Sequence, residues 1–291
     1  MLGAAWIAGA AVLPAIGASR NGRLVSLASR DIGRARRMIE HHSGARALAT
    51  YEELLEQPDV DAVYIPLVNS LHREWTLRAL AAGKHVLCEK PLAMNAAEAE
   101  TMAGAATSSR KLLMEAFMYR FHPAMRAFVD AIENPLHVQA SFGFRLDDPL
   151  NYRLRVEHGG GALLDVGCYT VNVARWILGE PVEVVAHSRM SGGVDMTTTV
   201  MLQFAGGRTA SLWSSFESPE EQQVRVVTVD SVLARERPFT SIHDPHDPYQ
   251  LMVESFADSV ITGTPAAISL QESIANMRVL DRIREVAAST A

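Results

Sequence analysis

Apolar and polar positions in the first 120 residues fall into short apolar runs separated by longer mixed stretches. Arg23 to Ala28, Asp61 to Pro66, His85 to Cys88 and Lys111 to Ala116 have the length and composition of strands. Leu71 to Ala82 and Ala96 to Ser108 read as helices, and Gly83 supplies a C-cap for the first of them. Strands that alternate with helices predict a parallel sheet covered on both faces. In such a sheet ligands bind beyond the carboxyl ends of the strands, and Asn69, Lys90 and Glu115 fall there.

The second half changes pattern. Leu136 to Phe144, Val182 to Arg189, Thr197 to Phe204 and Arg208 to Phe216 are β-rich, and Gly206-Gly207 predicts a hairpin between the last two. Gly161 to Leu178 reads as a helix closed by Gly179. On a regular helix Asp165 and Tyr169, four apart, share a face.

At 291 residues the chain suits two domains. A net charge of −6 provides no general attraction to nucleic acid or anionic lipid. Two cysteines, Cys88 and Cys168, indicate neither a disulfide framework nor a cysteine-built zinc site, and a cytoplasmic location is the default expectation. Leu2 to Ser19 is small and apolar, as in an export signal. No Lys or Arg precedes it, however, and Gly9, Pro14 and Gly17 interrupt it. It is also barely long enough to span a membrane. No metal site is expected, and the stretch His243 to Asp247 reads as an exposed loop.

The first apolar stretch carries another reading. Gly3-Ala4-Ala5-Trp6-Ile7-Ala8 aligns with the glycine-rich turn that binds a pyrophosphate, with alanine at the second and third glycine positions, and Ala10 to Ile16 can form the helix that follows. The second strand ends in Ser29-Arg30-Asp31. An acidic residue at the end of this strand usually binds the ribose of NAD. Here Ser29 holds that place, and the planar fork of Arg30 suits a 2′-phosphate, so the expected cofactor is NADP rather than NAD. A solvated helix face is the competing reading of Arg30, Arg34, Arg36 and Arg37. Only Met1 and Leu2 precede Gly3, so the first strand of the sheet is almost absent. An upstream start, a degraded copy or a substitute segment would each account for that.

Several of these marks together resemble the glucose-fructose oxidoreductase/inositol dehydrogenase (Gfo/Idh/MocA) family: Ser29-Arg30-Asp31, Asn69 with His72, Glu89-Lys90-Pro91, Met114 to Phe117 with Arg120 to Pro123, and Gly160-Gly161 through Asp165 to Tyr169. Tyr169, where many members carry histidine, is similar to a branch of NADP-dependent sugar and diol dehydrogenases. The resemblance implies an α/β chain: a Rossmann domain (1–118), doubly wound and clipped at its first strand, then an α/β domain (119–291) on an open, mainly antiparallel sheet. It also implies a cis bond between Lys90 and Pro91 and a homodimer or higher homo-oligomer. Gly3, Ala5, Trp6, Ile7, Ser29, Arg30, Arg34, Pro66, Leu67, Asn69, His72, Glu89, Lys90 and Glu115 are expected around the cofactor. Tyr119, Arg120 and His122 join Lys90, Asp165 and Tyr169 around a sugar or polyol. One departure is a region, Val224 to Asp247, that looks short, as though a hairpin were missing.

The chemistry expected of these residues is alcohol oxidation. As hydride leaves carbon, the hydroxyl proton must leave too. Tyr169 is the expected proton acceptor and donor; Lys90 lowers its pKa and binds the substrate oxygen, and Asp165 orients the substrate or Lys90. Helix packing for Tyr169 and a structural ion pair for Asp165 are the bland readings. No nucleophile elbow, P-loop or H-E-x-x-H motif is present. At the level of the whole chain, the competing function is a catalytically silent nucleotide sensor or scaffold.

Overall fold

Leu2 sits where a first strand belongs. In the computed structural model, which describes residues 1–240 and 245–289, Leu2 is fully buried and bridges Ala28 in parallel. Its amide donates to the Tyr64 carbonyl at 2.9 Å, while Ala28 and Gly3 exchange bonds with Met1 and Ala28 on the other side. Two residues thus do the pairing of a strand. They link a parallel pair, β1 (Ser26–Ala28) and β2 (Arg46–Leu48), to a parallel triplet, β3 (Ala62–Ile65), β4 (His85–Cys88) and β5 (Leu113–Glu115).

The chain forms two compact units. One holds Met1–Ala93, Ala97–His122 and the described part of Ser241–Ser273; the other holds Met94–Ala96, Pro123–Thr240 and the described part of Ile274–Ala291. The first unit contains β1 to β5 and the helices α1 (Leu13–Ala18), α2 (Ile32–Met38), α3 (Tyr51–Leu55) and α4 (His72–Ala81), with most of α5 (Ala96–Ser109). Later in the chain are α6 (Pro123–Asp130) and α7 (Cys168–Leu178). α8 (Pro248–Thr262) belongs with the first unit, and α9 (Leu270–Ser289) begins there.

The first helix differs from expectation. It starts at Trp6 and runs as a π-helix over Ala8–Val12 before α1. Pro14 has no amide to give to Ala10, and the Leu13 amide bonds instead to Ala8, five residues back. Sequence patterning had passed over β2 and α3, and met α2 only as the competing helix-face reading of Arg34, Arg36 and Arg37. α2 is capped by the Asp31 carboxylate and α3 by a reciprocal Thr50–Glu53 box, both short local signals.

The second unit is built on a six-stranded sheet: β6 (Pro135–Gly143), β7 (Pro181–Ser191), β8 (Val194–Phe204), β9 (Thr209–Ser215), β10 (Glu221–Thr228) and β11 (Val232–Glu236), ordered β11-β10-β6-β9-β8-β7. Every pairing is antiparallel except β6 with β9. The hairpin that looked missing is present, because β10 turns at Thr228–Ser231 into β11. One face is buried along Val184, Leu202, Ala210, Ala140 and Val224, and α7 packs on β6. On the other face, Val185, Met201, Ser211, Gln139 and Arg225 form one row across five strands, with Val185 and Met201 exposed. His243 and Asp244 lie outside the described residues; Pro245 and His246 are exposed, and Asp247 caps α8.

Candidate active site

The turn at Gly3 is built for close approach. Gly3 has φ +112°, which side chains rarely adopt, and a Cβ there would stand 2.7 Å from Leu67 Cδ2. The helix that opens at Trp6 leaves its first amides without intrahelical acceptors, a ready anion site. Trp6 is 76% exposed, Ala5 and Ile7 are half-buried. Ser29 is buried at the end of β1 and its hydroxyl accepts from the Asp31 amide, while Arg30 and Arg34 are exposed. The positive charge of Arg30 acts on the Tyr51 hydroxyl, and that hydroxyl lies beside Gly3. A guanidinium therefore stands next to the turn, as a 2′-phosphorylated dinucleotide requires. These residues fit NADP.

Behind the turn, the ends of β3, β4 and β5 are locked together. The bond between Lys90 and Pro91 is cis. His72, fully buried, has its two ring nitrogens 2.9 Å from the carbonyls of Leu67 and Pro91; burial lowers its pKa, although the carbonyls oppose that. It ties the loop after β3 to the loop after β4. Tyr64 donates to Glu89 at 2.5 Å, and buried Glu115 accepts from the Leu92 amide at 2.8 Å. Pro66 and Asn69 are also buried here. The half-buried Lys90 leaves this rigid frame on a short tether. His72, Glu89 and Glu115 thus serve as supports of the loops around Lys90. Tyr119 and His122 are buried, and Arg120 pairs with Glu272 at 3.2 Å. Cys88 is a buried strand residue whose thiol burial pushes well above its ordinary range.

The second unit assembles Tyr169, Asp165 and a residue that sequence reading missed. Expected as regular helix, Leu163–Gly167 is π-helical before α7 begins. Gly167 allows this: a Cβ would meet Leu163 and Ser214 at 2.9 and 3.0 Å. Asp165, on this wide turn, accepts from Arg153 Nε at 2.7 Å, and the positive field of Arg153 also reaches Tyr169. The glycine pair explains why Arg153 is there. Gly160 and Gly161 donate to the carbonyls of Arg155 and Arg153, and a Cβ on Gly160 would overlap the Arg153 carbonyl. Gly161 has φ +112° and its Cβ position is occupied by Asp195. Two residues without side chains let the 153–155 backbone approach until its arginine meets Asp165. Burial opposes the charge on Arg153, but Asp165 and Tyr169 raise its pKa overall. Its guanidinium also stacks on Tyr152, 4.7 Å from the ring centre. Tyr169 is buried against a stacked pair, Phe142 and Phe239, with ring centres 5.5 and 5.4 Å away. Cys168 packs in the helix, its thiol on the Asp165 carbonyl.

Residues 1–117 match the family model described as "Oxidoreductase family, NAD-binding Rossmann fold", and residues 124–230 match the Gfo/Idh/MocA C-terminal domain. The D-xylose 1-dehydrogenase (NADP(+)) 2 of Haloferax volcanii is 37% identical over all of this chain and 97% of its own. The chain belongs to the Gfo/Idh/MocA oxidoreductase family. Among solved family structures, a 3-ketoreductase from Actinomadura kijaniata bound to NADP and TDP-benzene superposes with a TM-score of 0.91 at 32% identity, covering 98% of this chain and 95% of its own. An aldose-aldose oxidoreductase from Caulobacter crescentus, in complex with glycerol, gives 0.93 at 26% identity over 100% and 97%. The α/β class, with a parallel Rossmann sheet and a mostly antiparallel second sheet, is that of the family.

Proposed function

We propose that this chain is an NADP-dependent oxidoreductase that exchanges a hydride with a secondary alcohol or hemiacetal of a sugar or cyclic diol. The observation that carries it is a phenol, Tyr169, held in an aromatic wall with a cation–carboxylate pair, Arg153–Asp165, beside it. The dehydrogenase and ketoreductase relatives support the cofactor and the substrate class. So do a tyrosine and a lysine that are the altered residues in two structures of the ketoreductase.

When bound, the nicotinamide accepts or donates the hydride. The residues of this chain handle the proton. In our reading Tyr169 takes the hydroxyl proton during oxidation and returns it during reduction, because nearby positive charge stabilises the phenolate. Lys90 binds the substrate oxygen. Asp165, fixed by Arg153, orients the substrate. Gly3, Ala5, Trp6 and Ile7 hold the pyrophosphate at the first turn, and Arg30, with Arg34, takes the 2′-phosphate. Pro66, Leu67 and Asn69 would help to hold the cofactor, while Tyr119, Arg120 and His122 would belong to the substrate wall.

No helix among the described residues is long and apolar enough to cross a membrane. We place the enzyme in the cytoplasm and read the open face carrying Val185 and Met201 as the contact of a homodimer. A panel of sugars and diols with NADP, followed by absorbance of NADPH, tests the activity. Tyr169→Phe should lower kcat by roughly 10²–10⁴-fold while leaving NADPH binding intact. Binding of NADPH with no turnover on any substrate would instead favour a silent nucleotide sensor.

A further inference from the structure

The strands β7 and β8 fall out of step near their shared hairpin. Arg189 pairs with Thr197 but Met190 pairs with Asp195, so Met196 is an extra residue on β8, a bulge. Strict alternation would put Asp195 on the open face with Thr197, Thr199 and Met201. The bulge instead lets its carboxylate reach the helix side of the sheet. There Oδ2 accepts at 2.7 Å from the amide of Leu163, the first residue of the wide turn Leu163–Gly167. Thr198, fully buried, donates to the same oxygen at 3.0 Å, and Ser188 of β7 holds the Thr198 hydroxyl at 2.8 Å. The other oxygen, Oδ1, takes the place that a Cβ on Gly161 would need. Ala162, which precedes the turn, gives it no side-chain cap, so the cap comes from another strand.

Everything that Asp195 touches leads to the proton-transfer residues. Gly160 and Gly161, which admit the backbone of Arg153, come just before the amide it fixes, and Asp165 comes two residues after. We propose that Asp195 is a positioning residue for the reaction: it sets the start of the wide turn and thereby the Arg153–Asp165 pair beside Tyr169. This inference rests on the reading of Tyr169 as the group that carries the proton. Without the carboxylate, the Leu163 amide loses its acceptor and the space at Gly161 opens. The turn can then relax and carry Asp165 out of register with Arg153. A shift of about 1 Å in such a group can cost roughly 10²-fold in rate.

The test compares Asp195→Asn, Asp195→Ala and Arg153→Met in the full chain, with the Asp195→Ala/Arg153→Met double variant. Asparagine removes the charge but keeps an oxygen for both Leu163 and Thr198; alanine removes the oxygen. Asp195→Ala should lower kcat by about 10–100-fold with KM for NADP within about twofold of the parent. Asp195→Asn should stay within about threefold of the parent in both. In the Arg153→Met background the alanine change should cost less than about threefold more, because the pair it acts through is already gone. A second readout needs no turnover: 3-fluorotyrosine at position 169, followed by fluorine NMR, reports the pH at which the phenol ionises. Asp195→Ala should raise that pH by about 0.5 or more, Arg153→Met likewise, and the double variant no further than the larger single effect. Asp195→Asn should not raise it. An alanine variant with parental kcat and parental phenol ionisation overturns the proposal, whatever its thermal midpoint. So do losses that multiply in full in the double variant, or an asparagine variant as impaired as alanine. If the alanine variant fails to fold, Thr198→Val replaces it, with kcat expected to fall about threefold or more; parental kcat and ionisation there overturn the proposal. A parent chain without turnover on any sugar or diol sinks the enzymatic reading instead, and the fluorine series still decides the placement of Asp195.

Discussion

Arg153→Met isolates the ion pair that holds the candidate catalytic carboxylate. The substitution keeps the apolar stem and removes the guanidinium, leaving Asp165 without its 2.7 Å partner on a side chain only 11% exposed. Breaking a fully buried pair costs roughly 3–5 kcal/mol, and an exposed pair contributes about 0–1. Arg153 is 29% exposed, so solvent screens part of the interaction and the expected loss is about 2–3 kcal/mol. At roughly 2–4 °C per kcal/mol for chains of this size class, the thermal midpoint should fall by about 5–10 °C. Urea unfolding without nucleotide measures it, with the m-value unchanged. A cycle with Asp165→Asn separates the pair from the separate packing of each residue, and a coupling energy of about 1.5–2 kcal/mol is expected. Removing positive charge near Tyr169 also disfavours phenolate. The alkaline rise of the oxidation rate should therefore move to higher pH in Arg153→Met. Additive single effects, within about 0.5 kcal/mol, together with an unmoved pH profile would refute the placement of Arg153 in this site.

Three further outcomes follow from other contacts. Gly3→Ala forces a Cβ to 2.7 Å from Leu67 at φ +112°; NADPH affinity, read by tryptophan fluorescence, should fall about tenfold or more, with a stability loss of about 1–2 kcal/mol. Arg30→Gln should weaken NADP about 10–100-fold and leave NAD nearly unchanged, since a hydrogen bond to a charged group is worth roughly 1.5–3 kcal/mol; the ratio of kcat/KM for the two cofactors checks it. Asp195, buried beneath Leu163 and Thr198, has its pKa raised from 3.8 to about 6 chiefly by burial. The folded state then binds its proton more tightly than the unfolded state. The associated stability is present below about pH 4 and is lost as pH rises to about 6, a difference of about 3 kcal/mol. The stability difference between the parent chain and Asp195→Asn should change by that amount over this window in urea midpoints; a constant difference would refute it.

The sequence by itself determined what depends on short range. Period and punctuation placed β3, β4 and α4 almost to the residue, and the Gly206-Gly207 turn located the β8–β9 hairpin. Glu89-Lys90-Pro91 and Asp165 to Tyr169 were legible as chemistry because residue type and spacing carry it. Ser29-Arg30 pointed to the cofactor for the same reason. Tertiary structure alone decided the partners. Arg153 stood in a loop without readable pattern, and its meeting with Asp165 depends on Gly160 and Gly161 admitting a backbone from elsewhere in the chain. His72, a helix-start histidine in sequence, became the tie between two loops only when Leu67 and Pro91 were brought to its ring. Both π-turns escaped the sequence pattern too, since a single extra residue in a helix is set by what packs against it: Pro14 breaks one hydrogen-bond ladder from within, and Ser214 crowds the other from β9.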